Sequence, residues 1–317
     1  MSLAVAIQMD PLESININTD STFMLALEAQ ARGYTLYHYL PSELAFRDGC
    51  IRARARPFEV FRERDKFFTV GTEELLEISS FDIILMRQDP PFDLSYITTT
   101  HLLEHVHPKT LVVNDPINVR NSPEKLFVTQ FEGLLPPTLI TSDQREITAF
   151  RGKYKDLIIK PIFGNGGVDV FHIGPEDENL NALLAMFADK YKEPFILQQY
   201  IPEVRMGDKR IILVDGNPVG AVLRIPPLGD ARANFHAGGT AKKTKLTPRE
   251  FEICEIIGPT LSERGLIFVG IDVIGNYLTE INVTSPTGIQ EINALEGSNL
   301  EKTIWDAIEM RYNQQIG

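Results

Sequence analysis

The sequence predicts an α/β chain in which an open parallel sheet is followed by two lobes of α+β type. Short apolar runs alternate with helical patterns in the first part of the chain, as βαβ units require. We expect strands there at residues 3–9, 35–40, 81–87 and 110–114, helices at about 22–31 and 95–105, and extended chain or a hairpin at 47–70. Beyond residue 157, glycine-rich or Asp-Gly turns separate the apolar runs, which is typical of antiparallel hairpins. With 317 residues, 43% of them hydrophobic, the chain is long enough for two or three hydrophobic cores.

Two turn signals divide the chain. Ser122 is a good N-cap and Pro123 suits a first helical position, so a helix should run from there to about residue 131. Pro202 follows an apolar strand and begins another lobe. We therefore predict an N-terminal domain at residues 1–122, a small lobe at 123–201 and a C-terminal lobe at 202–317. Because parallel sheets bind ligands beyond the carboxyl ends of their strands, we expect the first domain to bind a ligand there.

Composition and charge argue against several functional classes. The net charge is −12, from 43 acidic and 31 basic residues, and no run rich in lysine or arginine occurs. We therefore expect neither a nucleic-acid partner nor an anionic membrane partner. Cys50 and Cys254 fit no disulfide or metal spacing, and no apolar run approaches the roughly 18 residues of a membrane span. A reducing cytoplasm is the expected location.

A β-hairpin near the C-terminus carries three candidate metal ligands. Gly275-Asn276 provides turn chemistry between two apolar runs. Glu280 and Asn282 are two residues apart, so they share one face of a strand. A three-residue loop centred on Asn276 would set Asp272 opposite Glu280, whereas a two-residue loop would pair Asp272 with Thr279. Oxygen ligands of this kind suit Mg²⁺, although an ordinary surface hairpin explains the same residues equally well.

Two lysines and a glycine-rich loop precede that hairpin. Lys125 falls in the first turn of a predicted helix, where a cation opposes the helix dipole by roughly 0.3–1 kcal/mol unless an anion is bound. Lys160 ends a buried strand, and Gly164-Asn165-Gly166-Gly167 follows it before a second strand at 168–173. Backbone N–H groups of such a loop can approach phosphates closely. Taken singly, a solvated lysine and a tight hairpin turn are the commoner explanations.

The C-terminal lobe begins with another hairpin and a long loop. Asp215-Gly216 joins two strands that carry Arg210 and Arg224 at their far ends. The loop at about 226–243 is rich in Gly, Ala and Pro and has no periodicity. It carries Arg232, Asn234 and His236. Loops of this length are usually lids or disordered, and a closing lid would exclude water from a hydrolysis-prone intermediate.

Two amphipathic helices complete the lobe. Thr247 and Glu250 form a capping box at the start of the first helix. Its apolar stripe is predicted to consist of Phe251, Cys254, Ile257 and Leu261. Cys254 is therefore expected to be a core residue rather than a nucleophile. The last helix is predicted at about 299–312.

The order of these signals resembles that of the ATP-grasp ligases: a helix lysine, a strand lysine, a glycine loop, two arginines and an acidic hairpin. Longer strings extend the resemblance over nearly the whole chain to the bacterial type of glutathione synthetase. These strings are Met9-Asp10-Pro11, Ile83 to Phe92 with Arg87-Gln88-Asp89-Pro90-Pro91-Phe92, Glu124-Lys125-Leu126-Phe127, Gly207-Asp208-Lys209-Arg210, and Thr279 to Thr287 with Glu280-Ile281-Asn282-Val283-Thr284-Ser285-Pro286-Thr287.

The resemblance implies a reaction and a set of site residues. The enzyme would join γ-glutamylcysteine to glycine through an acyl phosphate while cleaving ATP to ADP and phosphate. ATP would be bound by Lys125, Lys160, Gly164, Asn165, Gly166, Gly167, Gln198, Gln199, Tyr200, Ile201 and Asp208. Two Mg²⁺ ions, for which Mn²⁺ could substitute, would be held by Asp272, Glu280 and Asn282. This ligand set requires a turn centred near Asn276, so that Asp272 faces Glu280. The catalytic residues would be Arg210 and Arg224, which would face the acyl phosphate and the tetrahedral oxygens. The dipeptide or glycine would be bordered by Arg87, Asp89, Arg232, Asn234, Ser285, Pro286 and Thr287.

Two other functions stay open at this point. The chain could be a different ATP-grasp carboxylate–amine ligase, joining D-alanines or adding glutamate to a protein tail. It could also be a nucleotide-binding module without catalysis, although the intact set of lysines, arginines and acidic residues argues against this. Related enzymes are homo-oligomers, which favours a homo-oligomer and, among these, a tetramer. The loop at 227–234 holds less glycine than is usual in the family, which leaves the movement of the lid open.

Overall fold

The computed structural model describes residues 2–229, 232–235 and 238–316. Its first part contains β1 (Ala4–Gln8), α1 (Ser21–Ala31), β2 (Thr35–Tyr39), β3 (Leu44–Arg47), β4 (Cys50–Val60), β5 (Phe68–Val70), β6 (Glu74–Glu77), β7 (Ile83–Met86), α2 (Leu94–Glu104), β8 (Leu111–Val113) and α3 (Pro116–Arg120). The strands form one sheet in the order β3-β4-β2-β1-β7-β8, with β5 and β6 paired to β4.

The central strands of this sheet confirm the predicted alternation of strands and helices. β1 pairs in parallel with β2 and with β7, and β7 pairs in parallel with β8. Asp20 caps α1, because its carboxylate accepts the Phe23 N–H at 2.7 Å. The segment at 47–70 is extended, as predicted, and forms an antiparallel arm around β4. The carboxyl ends of β1 and β7 lie side by side, where parallel sheets bind ligands.

Two antiparallel sheets follow. The middle part contains α4 (Glu124–Phe127), β9 (Thr138–Thr141), α5 (Gln144–Tyr154), β10 (Leu157–Pro161), β11 (Phe171–Ile173), α6 (Leu180–Lys190) and β12 (Phe195–Gln199). The last part contains β13 (Asp208–Val214), β14 (Asn217–Ile225), β15 (Thr240–Lys243), α7 (Pro248–Glu263), β16 (Phe268–Ile274), β17 (Tyr277–Asn282), α8 (Ile289–Glu296) and α9 (Leu300–Ile316). The sheet orders are β11-β10-β12-β9 and β15-β14-β13-β16-β17. Short 3₁₀ helices lie at Leu12–Ser14, Pro41–Glu43, Ile78–Ser80, Val128–Gln130 and Pro202–Met206. No helix in the described ranges is both long and apolar enough to cross a membrane.

The first and last parts of the chain pack directly on each other. Trp305 of α9 is fully buried, and its indole N–H donates to the Leu25 carbonyl at 2.8 Å. Asn114 donates to the carbonyls of Phe268 and Val283, each at 2.8 Å, and accepts the Phe268 N–H at 2.9 Å. Three hydrogen bonds from one buried amide leave none of its polar atoms unsatisfied. The N-terminal sheet is therefore fixed against the strands that carry the acidic hairpin.

Two predictions in the middle part are wrong in detail. The helical run predicted at 123–131 is present as α4 and the 3₁₀ helix Val128–Gln130 that continues it, but Pro123, with an extended ψ of 128°, is itself the N-cap. Ser122 does not cap it, because its buried hydroxyl accepts from Arg264 instead. The strand predicted at 168–173 begins only at Phe171, since Gly166, Gly167 and Asp169 all have positive φ and form turns that interrupt a strand ladder.

The C-terminal lobe confirms the capping box and the core position of Cys254, which is 2% exposed. Phe251 does not belong to the apolar stripe of α7, because it is 49% exposed while Ile253 is fully buried. The loop predicted at 226–243 is shorter than expected: its last residues form β15, which pairs with β14 through Ile225 and Thr240. His236 of that loop lies outside the described residues. Helix α8 was not predicted from the sequence.

Gly216 offers a stability test at the turn between β13 and β14. Its φ is +81°, and a Cβ built there would lie 2.4 Å from the Gly258 carbonyl oxygen of α7. Gly216→Ala is therefore expected to lower the free energy of unfolding by about 2–5 kcal/mol, from left-handed strain plus backbone overlap. Urea denaturation measures this loss.

Gly33 is the matched control for that substitution. It has a similar φ of +79°, but a Cβ at this position would have no neighbour within 4 Å. Gly33→Ala should therefore cost only the left-handed strain, about 1–2 kcal/mol. Equal losses for the two variants would contradict the packing of Gly216 against Gly258.

Candidate active site

A cleft between the four-stranded and five-stranded sheets contains both predicted lysines, and we call it the lysine cleft. It contains about 830 Å³ of atom-free space, part of which is open to solvent. Every residue predicted to bind ATP lines it, namely Lys125, Lys160, Gly164, Asn165, Gly166, Gly167, Gln198, Gln199, Tyr200, Ile201 and Asp208. Asp272, Glu280, Arg232 and Asn234 also line it. Two lobes of the chain therefore converge on one space.

A second cleft adjoins the first, and we call it the arginine cleft. It contains about 1520 Å³ of atom-free space, part of which is open to solvent, and lies where the N-terminal sheet meets the C-terminal lobe. The predicted residues that line it are Arg87, Asp89, Arg210, Arg224, Asn234, Glu280, Asn282, Ser285, Pro286 and Thr287. Asn165, Gly166, Asn234 and Glu280 line both clefts. Of the predicted substrate residues, Arg232 lines the lysine cleft and not the arginine cleft.

The two lysines face the glycine loop and the acidic hairpin. Lys125 of α4 is buried, and its ammonium donates to the Gly164 carbonyl. Lys160 at the end of β10 is also buried, with its Nζ 3.9 Å from Glu280 Oε1. Burial lowers the pKa of Lys160, and the nearby Glu280 carboxylate partly offsets that shift. A buried ammonium with one distant counter-ion is suited to binding an anion.

The opposite wall of the lysine cleft includes an aromatic stack. Tyr200 follows β12, and its ring lies against His172 with centroids 4.1 Å apart. Arg205 donates from Nε to the Tyr200 hydroxyl at 2.8 Å. The His172 ring nitrogen Nε2 lies 2.6 Å from Asp156 Oδ1. These contacts hold the Tyr200 ring in place beside a space large enough for a nucleotide base.

The acidic hairpin has the predicted pairing but not the predicted turn. Its turn has two residues, because Ile274 pairs with Tyr277. A β-bulge between Asp272 and Val273 then restores the register, so Asp272 lies opposite Glu280 after all. Thr279 is the extra residue, and its hydroxyl donates to the Asp272 carbonyl at 3.0 Å. The bulge thus performs the alignment that a three-residue loop would have performed.

Four buried charges connect the hairpin to β13 and β14. Arg210 donates from Nε and Nη2 to the two carboxylate oxygens of Asp272, at 2.5 and 2.9 Å. Arg224 donates to both oxygens of Asp208, at 2.6 and 2.7 Å, and its Nη2 lies 3.0 Å from Asp272 Oδ1. Burial alone would raise the pKa of Asp272, but the two guanidinium groups hold it well below its usual value. Two guanidinium groups thus face two carboxylates within this cluster.

The residues present fit a divalent metal only in part. Asn282 donates its amide N–H groups to the Gly270 carbonyl and, at 3.4 Å, to Asp272 Oδ2, which leaves its side-chain oxygen for another role. Among the described residues, the ion-pair partner of the Glu280 carboxylate is Lys160, at 3.9 Å. Asn282 and Glu280 both offer hard oxygen donors of the kind that Mg²⁺ prefers. The carboxylate of Asp272, in contrast, is occupied by guanidinium groups.

Arg87 is a buried cation in the wall of the arginine cleft. It donates from Nε to the Thr22 hydroxyl at 3.0 Å and from Nη2 to the Pro286 carbonyl at 3.1 Å, and it lies over the Phe268 ring. No carboxylate of the described residues, Asp89 included, lies within 4 Å of its nitrogens. Burial lowers the pKa of Arg87. An anionic ligand would offset the cost of burying this charge.

Several residues of the arginine cleft were not predicted from the sequence. They are Ser14, Asn16, Thr19, Asp20, Ser21, Thr22, Glu124, Thr284 and Glu291. The first six follow β1, and their position beyond the carboxyl end of a parallel strand was the available signal. Glu124 and Glu291 carried no such signal. Burial raises the pKa of Glu124, although a hydrogen bond from Thr284 at 2.7 Å opposes that shift.

The fold and its two clefts define the class of protein. The D-cycloserine synthetase DcsG has the same fold, with a TM-score of 0.65 and 16% identity over 98% of this chain and 99% of that chain. The ATP-grasp ligase PsnB, solved with minimal precursor, Mg and ADP, matches with a TM-score of 0.62 and 14% identity over 98% of each chain. At these identities the likeness concerns the fold alone. The chain has an ATP-grasp fold.

Sequence comparisons give the particular family. Residues 3–120 match the prokaryotic glutathione synthetase N-terminal domain, and residues 124–297 match the prokaryotic glutathione synthetase ATP-grasp domain. The glutathione synthetase of Brucella melitensis biotype 1 is 57% identical over 311 residues, covering 98% of this chain and 100% of the relative. That of Escherichia coli strain K12 is 42% identical over 315 residues, covering 99% and 100%. The chain belongs to the prokaryotic glutathione synthetase family and is an ATP-dependent ligase.

Proposed function

We propose that this chain joins γ-glutamylcysteine to glycine at the place where the lysine cleft meets the arginine cleft. ATP would occupy the lysine cleft, and the two amino-acid substrates would occupy the arginine cleft. One observation carries the proposal: Asn165, Gly166, Asn234 and Glu280 line both clefts. The two clefts therefore adjoin, so the phosphates of ATP in the lysine cleft would lie next to a substrate carboxylate in the arginine cleft. Family membership supports the same reaction.

The first step transfers a phosphoryl group. An oxygen of the cysteinyl carboxylate attacks the γ-phosphorus of ATP, and ADP leaves as the P–O bond to the β-phosphate breaks. Lys125 and Lys160 would neutralise phosphate oxygens, and Gly164 to Gly167 would cover them with backbone N–H groups. Because both lysines are already buried, little reorganisation is needed when the anion arrives.

The second step forms the amide bond. The free amine of glycine attacks the acyl carbon and a tetrahedral oxyanion forms. The C–O bond to the phosphate then breaks, and phosphate leaves with the former carboxylate oxygen and takes up the proton that the amine nitrogen loses. Arg210 and Arg224 are the proposed catalytic residues, since their planar guanidinium groups can bind two oxygens at once. Both line the arginine cleft beside Glu280. Arg87, Ser285, Pro286 and Thr287 would border the substrate carboxylates.

Glu280 and Asn282 would hold the metal that family membership implies, with Asp272 as the third ligand. Mg²⁺, or Mn²⁺ in its place, would neutralise phosphate oxygens and align them for transfer. No group of three or more His, Cys, Asp or Glu side chains within the described residues could hold a metal by itself. Phosphate and water oxygens would therefore complete the coordination. Asp272 would become available as Arg210 turns toward the developing oxyanion.

A panel of acceptors tests the proposed function. ADP release should require γ-glutamylcysteine and glycine together, and the product should be glutathione. The two rival functions give different results. Turnover with D-alanine or with a glutamate-tailed peptide would identify another carboxylate–amine ligase, and ATP binding without turnover of any acceptor would identify a regulatory module.

Lys160 gives the proposal a pH signature. The attraction between Lys160 and the phosphates is present while the ammonium is protonated and is lost as the pH rises through its pKa. A solvated lysine would titrate at about pH 10.4. Because burial lowers the pKa of Lys160, the loss of ATP affinity with rising pH should begin at a lower pH than that. Calorimetric titration of ATP between neutral and alkaline pH measures the decline.

Lys160→Arg is the matched variant for that measurement, because its guanidinium keeps its charge throughout the same range. The variant should show a smaller decline in ATP affinity at alkaline pH than the wild type, because the charge at position 160 is kept. The same decline in both proteins would show that another group causes it.

We further propose three parts, at 1–122, 123–201 and 202–317, of which the first binds substrate and the other two form the ATP-grasp domain. The lid would be the shortened loop before β15.

A cytoplasmic location is supported by two free cysteines, Cys50 and Cys254. A homo-oligomer, with a tetramer favoured, stays a proposal, which light scattering coupled to gel filtration would test.

A further inference from the structure

The amide-forming step requires the removal of a proton before it can begin. Glycine in solution carries an ammonium group at neutral pH, and an ammonium nitrogen has no lone pair with which to attack an acyl carbon. A base must therefore act beside the place where the acyl phosphate forms. Such a base must come within hydrogen-bond reach of the proton that it removes.

The candidate bases are carboxylates, because no histidine of the described residues lines the arginine cleft. Asp20 already accepts a backbone N–H as the cap of α1, and Asp89 is exposed. Glu280 is assigned to the metal. The two carboxylates of the cleft that have no role so far are Glu124 and Glu291.

Glu124 lies among the groups that surround the proposed reaction centre. It is the first residue of α4 and directly precedes Lys125. Its carboxylate interacts electrostatically with Glu280, Lys125 and Arg210, which are assigned above to the metal, the phosphates and the oxyanion. Glu291, on α8, is an electrostatic neighbour of Arg210. Glu124 is therefore the carboxylate that all three parts of the reaction centre influence.

A hydrogen bond from a buried hydroxyl orients the Glu124 carboxylate. Thr284, which is 3% exposed, donates from its hydroxyl to Glu124 Oε1 at 2.7 Å. A proton taken up on the other oxygen, Oε2, would leave Oε1 as a carbonyl oxygen that still accepts this bond. The side chain can therefore gain and lose a proton without changing its orientation. A base that is held by an orienting partner is typical of catalytic sites.

The surroundings of Glu124 also favour proton uptake. Burial raises the pKa of its carboxyl group, and the negative charge of Glu280 adds to that shift. The hydrogen bond from Thr284 and the charges of Lys125 and Arg210 oppose it, but the pKa stays above its ordinary value. A carboxylate whose pKa is raised toward the working pH is a stronger general base.

We propose that Glu124 is the general base that takes a proton from the glycine ammonium group, with Thr284 as its positioning residue. One N–H bond breaks, its electron pair stays on the nitrogen, and the proton moves to Glu124 Oε2. The nitrogen then attacks the acyl carbon, and its second proton leaves with the phosphate. Solvent takes up the proton of Glu124 after the products leave. This inference rests on the proposed function.

Hydroxylamine in place of glycine separates the removal of this proton from every other step. Hydroxylamine is largely uncharged at neutral pH, so it attacks an acyl phosphate without a base and gives the hydroxamate of γ-glutamylcysteine. Glu124→Gln keeps the shape of the side chain and an oxygen for the Thr284 hydroxyl, but it cannot take up a proton. With glycine the variant should lose roughly 10²- to 10³-fold in kcat. With hydroxylamine its rate should stay within about threefold of the wild type.

Two further variants complete the design. Thr284→Val keeps the side-chain shape without the hydroxyl, and it should show a smaller loss with glycine and the same indifference with hydroxylamine. Glu132→Gln is the matched control, because Glu132 is exposed and lines neither cleft. It should behave as wild type with both nucleophiles.

Equal losses of Glu124→Gln with the two nucleophiles would overturn the inference, because an effect on the fold, on ATP binding or on phosphoryl transfer does not depend on the nucleophile. Wild-type kinetics of this variant with glycine would overturn it as well. A loss confined to glycine in Glu291→Gln instead would place the base on α8. If the wild type formed neither glutathione nor the hydroxamate, the proposed function itself would fail.

Discussion

Replacing Glu280 by alanine is expected to reduce ATP-dependent glutathione formation by at least about 10³-fold, since metal neutralisation of phosphate charge is worth several kcal/mol in the transition state. Glu280 is the carboxylate that lines both clefts. Its side chain is 21% exposed and its ion-pair partner among the described residues, Lys160, lies 3.9 Å away, so its removal should leave the fold intact. Steady-state kinetics at saturating Mg-ATP, with circular dichroism as a check of folding, measures both expectations.

Glu255→Ala is the matched control, because Glu255 is an exposed residue of α7 away from both clefts. It should keep wild-type kinetics. Wild-type turnover in a folded Glu280→Ala variant would remove Glu280 from the proposed metal site and, with it, the reason for placing the phosphate tail at the junction.

Replacing Arg210 by alanine is expected to produce two large effects. The variant should lose kcat by roughly 10²- to 10³-fold, as when one donor to an oxyanion is removed, with a much smaller change in ATP affinity. It should also lose about 3–5 kcal/mol of unfolding free energy, because Asp272 stays buried without its bidentate partner. Single-turnover kinetics, ATP titration and urea denaturation separate these effects.

Arg210→Lys keeps the charge but not the planar fork. It should regain much of the lost stability and little of the lost kcat, which separates catalysis from folding. Arg54→Ala is the control for removal of an arginine at a surface pair, because Arg54 is 61% exposed beside Glu73 and should contribute about 0–1 kcal/mol. Equal losses in kcat and in ATP affinity for Arg210→Ala would assign Arg210 to ground-state binding.

The acidic hairpin illustrates how far sequence reasoning reaches. Alternation along β17 is a local property, so the shared face of Glu280 and Asn282 was predictable. The pairing of Asp272 with Glu280 was also predicted, but for the wrong reason, since a bulge at Thr279 and not a longer turn produces it. Bulges depend on how the hairpin packs against its neighbours, which spacing alone does not express.

Other residues of the arginine cleft were not predicted from the sequence, and for a different reason. Glu291 lies on a helix that was not predicted, and Ser21 belongs to a helix whose prediction said nothing about what its first turn faces. Both line the cleft because α8 meets the start of α1, where Gln290 donates to the Asp20 carbonyl. The ion pairs of Asp272 with two arginines could not be predicted from the sequence either, because they depend on the side-by-side placement of β13, β14 and β16. Long-range contacts between separate elements carry this information.

The path of one oxygen atom tests the central claim most directly. The enzyme would be given γ-glutamylcysteine labelled with oxygen-18 in the cysteinyl carboxylate, together with glycine and unlabelled ATP. If the carboxylate attacks the γ-phosphorus and glycine then displaces phosphate, the released phosphate must carry oxygen-18 in equal amount to the glutathione formed. Mass spectrometry of the phosphate reads this transfer. Phosphate without oxygen-18 would contradict the acyl phosphate and the proposed meeting of the two clefts.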